Sequence, residues 1–187
     1  MYMYQRKVLD GIVNHANKHI NLARGVYPRT ENREGDVILT DSHRLVVTSR
    51  EVTGYTDSDL SGLFEYPLPS LCGYDTTVKL PSIETLRAFR REMKKAHKLK
   101  TLERCWPLDT GDSYIFIDSK YLLDALTLMP SAETALVDAC CWYKPAYINA
   151  DGFEMYICPV RVDPWDRKKV VGNAQRFMGP GKSENAA

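Results

Sequence analysis

Six cations crowd the stretch from Arg87 to Lys98: Arg87, Arg90, Arg91, Lys94, Lys95 and Lys98, with only Glu92 of opposite sign among them. At helical spacing, Arg87, Arg91, Lys94 and Lys98 share one face, and Leu86, Phe89, Met93 and Ala96 form the opposite, apolar stripe. Such a row offers point charges to phosphates without reading bases, so its contacts are independent of sequence and weakened by salt. A charge run is more often a solvated helix face. Here the excess of cations is larger than solubility requires, and a polyanion contact is expected.

Other reactive side chains fall into blander patterns. His15 and His19 stand one helical turn apart and could bind a metal, but no acid or thiol follows at matching spacing. A half-exposed helix face accounts for them. Cys140 and Cys141 would point to opposite faces of a strand, so they cannot readily share one ion. Asp109, Asp112 and Asp118 sit at turn and cap positions. The strings of serine hydrolases, zinc proteases and phosphate-binding loops do not occur. The expectation is a protein without catalysis, metal or cofactor.

Composition narrows the class further. The 187 residues fit one domain, or two small ones, and can bury a sizeable core. Hydrophobic residues make up 44% and charged residues 26%, as in ordinary globular chains, and no apolar run reaches membrane-span length. The Met-Tyr-Met-Tyr start lacks a signal-peptide core. Five cysteines at irregular spacing, with no C-x-x-C pair, favour reduced thiols in a cytoplasm. A formal net charge of +1 does not mark a nucleic-acid binder, so the distribution of charge must decide.

The basic row must be held by neighbouring elements. Tyr2 and Tyr4 can alternate as an opening strand, followed by a helix near 6–20 with Val8, Leu9, Ile12, Val13, Ala16 and Ile20 on one face. Gly25 to Thr30 is a weak strand. Val37–Leu39 and Leu45–Val47 are strands joined at Asp41-Ser42. Thr76–Leu80 is a strand that Pro81 stops; Ser82 caps the basic helix near 82–98. Arg104–Asp109 and Tyr114–Asp118 can pair across Thr110-Gly111-Asp112. Asp118 or Ser119 caps a third helix to residue 129, which Pro130 ends. Glu133–Cys141 alternates loosely. Lys144–Ala150, a hairpin turn at Asp151-Gly152 and a returning strand Phe153–Val162 follow. The polar stretch 163–187 reads as a partly disordered tail after a single domain spanning 1–162.

Two strings carry a family resemblance. Tyr114–Leu126 with Gly152–Val162 resembles the closing half of the bacterial DNA polymerase III β sliding clamp, whose last strand bears Pro-x-Arg, here Pro159, Val160 and Arg161. Gly35–Ser49 resembles the clamp's Thr-Asp-Gly-His-Arg-Leu turn, with Thr40, Asp41, His43, Arg44 and Leu45 matching and Ser42 in place of glycine.

The resemblance covers roughly 5–50 and 76–162, in a chain about half the length of a three-domain clamp subunit. It implies an α+β fold, a DNA-clamp-like domain with an antiparallel sheet and helices packed on one face. It also implies a replication or repair accessory protein that binds DNA without sequence preference, docks linear peptides of partner proteins, or does both. A homo-oligomer and no membrane contact are expected. The alternative is a clamp-fold decoy or regulator that binds replication proteins without encircling DNA. By resemblance, the peptide pocket would use Thr40, His43, Arg44, Leu45, Tyr156, Pro159, Val160 and Arg161. The competing reading makes Leu45, Tyr156 and Val160 core residues and Arg44 a structural ion pair.

Overall fold

The computed structural model describes residues 3–18, 25–26, 36–55, 68–95 and 104–178. Helix α1 (Met3–Lys18) leads to strands β1 (Gly25–Val26), β2 (Asp36–Thr40) and β3 (Arg44–Ser49), and a one-turn helix α2 (Arg50–Thr53). Strand β4 (Thr76–Lys79) precedes α3 (Ile83–Lys95). Strands β5 (Cys105–Asp109) and β6 (Tyr114–Asp118) precede α4 (Ser119–Leu128). Strands β7 (Thr134–Val137), β8 (Ala146–Ala150) and β9 (Phe153–Ile157) lead to α5 (Pro164–Gln175).

Seven strands form one sheet in the order β1-β2-β3-β9-β8-β7-β4, and β5 and β6 form a separate hairpin. Every pairing is antiparallel, giving the expected α+β class. Two of its tight connections follow from residue chemistry. Asp151 and Gly152 both adopt positive φ, 53° and 77°, the primed turn that matches the twist of a two-residue hairpin. Ser42 also sits at positive φ, 68°, where a glycine would be free of strain.

One face of the sheet holds the main core. Val37, Leu39, Val46, Met155 and Ile157 meet Leu9 and Ile12 of α1, Leu86 and Phe89 of α3, and Leu122 and Ala125 of α4. The alternate residues Ile38, Leu45, Val47, Tyr147 and Tyr156 form a second buried cluster on the other face, packed against Leu68 and Tyr74. The central strands are thus apolar on both sides, which is why β2 and β3 read as continuous apolar runs.

The β5–β6 hairpin is covered twice. Trp106, Leu108, Ile115 and Ile117 face the main core, while Cys105 and Phe116 face α5 through Val170, joined by Val162. Ala174, one turn on, reaches the main core, and Phe177 packs edge-on against Phe89 at 5.6 Å.

The structure revises four expectations. Tyr4 lies in the first turn of α1, not in an opening strand; the next residue, Gln5, ties that turn to α4 by donating to the Leu128 carbonyl at 2.8 Å. Tyr114–Asp118 pairs with β5 as expected, but the hairpin forms its own sheet, whereas the expectation for Tyr114–Ile117 is one sheet with Val37–Leu39, Leu45–Val47 and Phe153–Val162. The last strand stops at Ile157; Pro159 follows and has no amide hydrogen to extend the ladder. The stretch after Asp163 is helical through Gln175, since Val170 and Ala174 supply a narrow buried stripe that polarity concealed. Residues 179–187 of the expected tail, His19, Lys98, and most of the expected strand at 25–30 lie outside the described residues.

The α5 cover can be tested chemically. Burial pushes the Cys105 thiol up to about 12, whereas Cys72 and Cys140 are exposed. In the native protein at pH 8, Cys72 and Cys140 should alkylate rapidly and Cys105 only on unfolding. Val170→Asp places a charge against Phe116 and should expose Cys105 to the reagent, read by mass spectrometry of labelled peptides. Equal protection of Cys105 in both proteins would mean that α5 does not shield the hairpin.

Candidate nucleic-acid and peptide interfaces

The first motif folds as a self-contained turn. The Asp41 carboxylate accepts from the backbone amides of His43 (3.2 Å) and Arg44 (3.1 Å), and from Arg44 Nε at 3.1 Å. Thr40 Oγ1 donates to the Arg44 carbonyl at 2.9 Å. The Arg44 side chain, 2% exposed, runs on to Asp124 of α4, and its guanidinium lies 4.8 Å from the Tyr121 ring centroid. His43 is exposed and stacks on the same ring, at 5.6 Å and 17°. Burial raises Tyr121 above its ordinary value. Burial also pushes the Asp124 carboxyl upward, against the pull of the Arg44 charge.

The two motifs meet within one subunit. Strand β3 pairs with β9, so Leu45 lies opposite Tyr156 and Arg44 opposite Ile157, and the Cys158 amide donates to the His43 carbonyl at 2.8 Å. They do not form one open groove. Leu45 and Tyr156 are buried in the second cluster, and Thr40 and Arg44 are buried in the turn. Arg44 is therefore a structural ion pair between two carboxylates and not a donor at a rim.

Pro159, Val160 and Arg161 lie beyond β9, where the Val160 amide donates to the Phe116 carbonyl at 2.7 Å. Val160 and Arg161 line a cleft of about 200 Å³ with Tyr114, Phe116, Trp142 and Arg167. Tyr121, Asp124, Trp142 and Arg167 went unrecognised in the sequence. Tyr121 and Asp124 read as ordinary helix positions, and only an aromatic pair in a polar turn, Trp142-Tyr143, could have drawn attention.

The basic helix separates its charges. Ser82 Oγ caps α3 by accepting from the Thr85 amide at 3.1 Å, and Leu86, Phe89 and Met93 turn to the core. Arg90 reaches across to α4, donating to Ser119 Oγ at 3.2 Å and lying 3.7 Å from Asp118. Loss of hydration on burial lowers its pKa. Lys95 pairs with Glu92 at 3.3 Å. Arg87, Arg91 and Lys94 are exposed, with no ion pair among the described residues.

Two groups hold the turn near Trp142. Lys144 Nζ bonds Asp138 at 2.6 Å and the Cys72 carbonyl at 2.9 Å, tying the turn at Leu71–Tyr74 to the β7–β8 connection. The Lys144 hydrogen bond holds Asp138 below the ordinary carboxylate range, and Asp138 holds Lys144 above its ordinary range. Among the described residues no group of acids, histidines and cysteines is placed to hold a metal ion. Among them, too, no helix is long and apolar enough to cross a membrane.

No family model matches the chain, and no curated protein does. Solved structures do resemble it. A chain assigned as a DNA polymerase III beta subunit from Eubacterium rectale aligns at 14% identity and TM-score 0.44, over 84% of this chain and 64% of that one. The DNA polymerase sliding clamp from Bacillus subtilis aligns at 14% identity and TM-score 0.39, over 84% and 63%. The beta subunit of DNA polymerase from Streptococcus pyogenes aligns at 15% identity and TM-score 0.37, over 84% and 64%. This chain spans less than two thirds of the length of each.

Two outcomes are expected of the turns. Arg44→Ala leaves the Asp41 carboxylate buried without its cation and should cost about 3–5 kcal/mol in urea unfolding. Arg44→Lys should restore little, because an ammonium cannot span both carboxylates as the planar fork does.

For Asp138, a lowered carboxylate pKa gives stability that is present above the ordinary value of about 3.9 and lost as pH falls through the folded value. The raised Lys144 pKa acts below its ordinary value of about 10.4 and is lost as pH rises through its folded value. Asp138→Asn should therefore be less stable than the native protein at pH 7, with the gap closing toward pH 3. A gap that stays constant with pH would exclude the ion pair as its source.

Proposed function

We propose that this chain is a non-enzymatic accessory protein of DNA replication or repair that binds duplex DNA without reading its sequence. The binding surface is the exposed row Arg87, Arg91 and Lys94 on α3. The observation that supports this is the sorting of charge along the helix. Arg90 is engaged with Asp118 and Ser119, and Lys95 with Glu92, while three cations at helical spacing are left facing solvent. An ordinary solvated helix places acids among its bases at similar spacing. Here the buried stripe fixes the helix roll, so the three side chains project together and can meet consecutive phosphates.

The sequence resemblance to sliding clamps gives the polyanion a natural identity, since such rings set helices against duplex DNA. The Thr40–Leu45 turn and the Pro159–Arg161 segment lie side by side in this fold, and support the same reading as a clamp-like framework.

Fluorescence anisotropy with labelled duplexes of unrelated sequence tests the proposal. The native protein should bind them all alike, with log K falling linearly in log salt. The triple variant Arg87→Ala, Arg91→Ala, Lys94→Ala should bind each duplex more weakly, with the salt slope reduced by about 0.9 for each phosphate no longer neutralised. An unchanged slope, or no binding by the native protein at low salt, would overturn the proposal and leave a regulator acting on replication proteins alone.

A further inference from the structure

The cleft beside α5 has a composition that the duplex-binding reading does not use. Its lining brings Tyr114 and Trp142 together with Arg161 and Arg167, over a floor that includes the buried Phe116. Trp142 is 50% exposed and Tyr143 is 65% exposed, the pair meeting edge to face at 5.9 Å. The Arg161 guanidinium lies 5.9 Å from the Trp142 ring centroid. Trp165, next in the chain after the cleft's Pro164, is 77% exposed.

Arg167 is held in place, its Nε donating to the Val162 carbonyl at 3.4 Å, which leaves its terminal amino groups as donors. Asp163, the lining's carboxylate, lies 3.9 Å from Arg161, so two cations face one acid.

We infer that this cleft, with the exposed indoles around it, is a binding platform for single-stranded nucleic acid. A single strand presents flat bases and phosphates in alternation. Exposed rings accept the bases by stacking, and arginines accept the phosphates or stack in turn. A docking peptide instead calls for one or two deep apolar anchors, and the apolar groove that Leu45 and Tyr156 would have lined is closed by their burial. A duplex keeps its bases stacked on each other and cannot use the rings. The platform is distinct from the α3 row and does not rest on it.

Tryptophan fluorescence reads the platform directly, because Trp106 is buried at 3% exposure while Trp142 and Trp165 are open. Titration with oligothymidylate at low salt should quench the native protein saturably, with a duplex of equal length competing poorly. Trp142→Ala should lose most of the quench and bind roughly tenfold more weakly, and Trp142→Phe should recover much of the affinity. Arg161→Glu, at a side chain 78% exposed, tests the phosphate contact without burdening the fold. It should weaken binding and reduce the salt slope by about 0.7, the share of one neutralised phosphate on a single strand.

The Arg87, Arg91 and Lys94 triple variant should keep the quench while losing duplex binding. Undiminished oligonucleotide affinity in Trp142→Ala would overturn the inference. So would thymidine monophosphate binding as tightly as the oligomer, or quenching by an apolar or acidic peptide and not by the strand.

Discussion

The Arg44 guanidinium, buried between Asp41 and Asp124, is the constraint on which the sheet and its helices depend for their alignment. A buried cation without partners would be intolerable, so the turn at Asp41–Arg44 and helix α4 must sit where both carboxylates reach it. That ties the β2–β3 turn to α4, which lies across the sheet with Leu122 and Ala125 in the core, while β3 pairs with β9. Tyr121 completes the node, with Arg44 against its face and His43 stacked on it. An Asp-x-x-Arg string at a hairpin therefore carries a tertiary instruction as well as a local one.

From this framework the second layer follows. Strand β6 leads directly into α4, with Asp118 capping the helix by accepting from the Lys120 amide at 2.7 Å. The β5–β6 hairpin forms its own two-stranded sheet, and its outward residues Cys105 and Phe116 are apolar and need cover. α5 provides that cover, and the extended segment from Pro159 to Asp163 delivers it there. The cleft is the gap left where this segment, the hairpin and the Trp142 turn converge.

Local chemistry was the legible part of the fold. Asp151-Gly152, Thr110-Gly111-Asp112 and the caps at Ser82 and Asp118 each declare their geometry within a few residues, and the antiparallel α+β class follows from them. Legibility failed where the decisive partner is distant in sequence. α5 buries only Val170 and Ala174, too narrow a stripe to stand out in a polar segment. Leu45 and Tyr156 were groove walls by the resemblance alone, and the competing core reading holds for them, because the cover supplied near Leu68 and Tyr74 buries both. The charge row on α3 was visible from spacing alone. The engagement of Arg90 by Ser119 and Asp118 was not, since it requires α3 and α4 to lie side by side.

The near-neutral composition does not conflict with the two proposed anionic ligands, because charge acts locally. The 25 basic and 24 acidic residues nearly cancel over the chain. Screening at physiological salt limits each charge to about 8 Å. Arg87, Arg91 and Lys94 span about 10 Å along α3, by the rise of about 1.5 Å per residue, close enough for their proposed joint contact with a polyanion. Arg161 and Arg167 lie at the N-terminal end of α5, whose C-terminal end meets α3 through Phe177 and Phe89. The 12 residues of α5 extend about 18 Å, roughly two screening lengths. On the proposed readings, a nucleic acid that bridged both surfaces would have to follow α5 from its N-terminal end to its contact with α3.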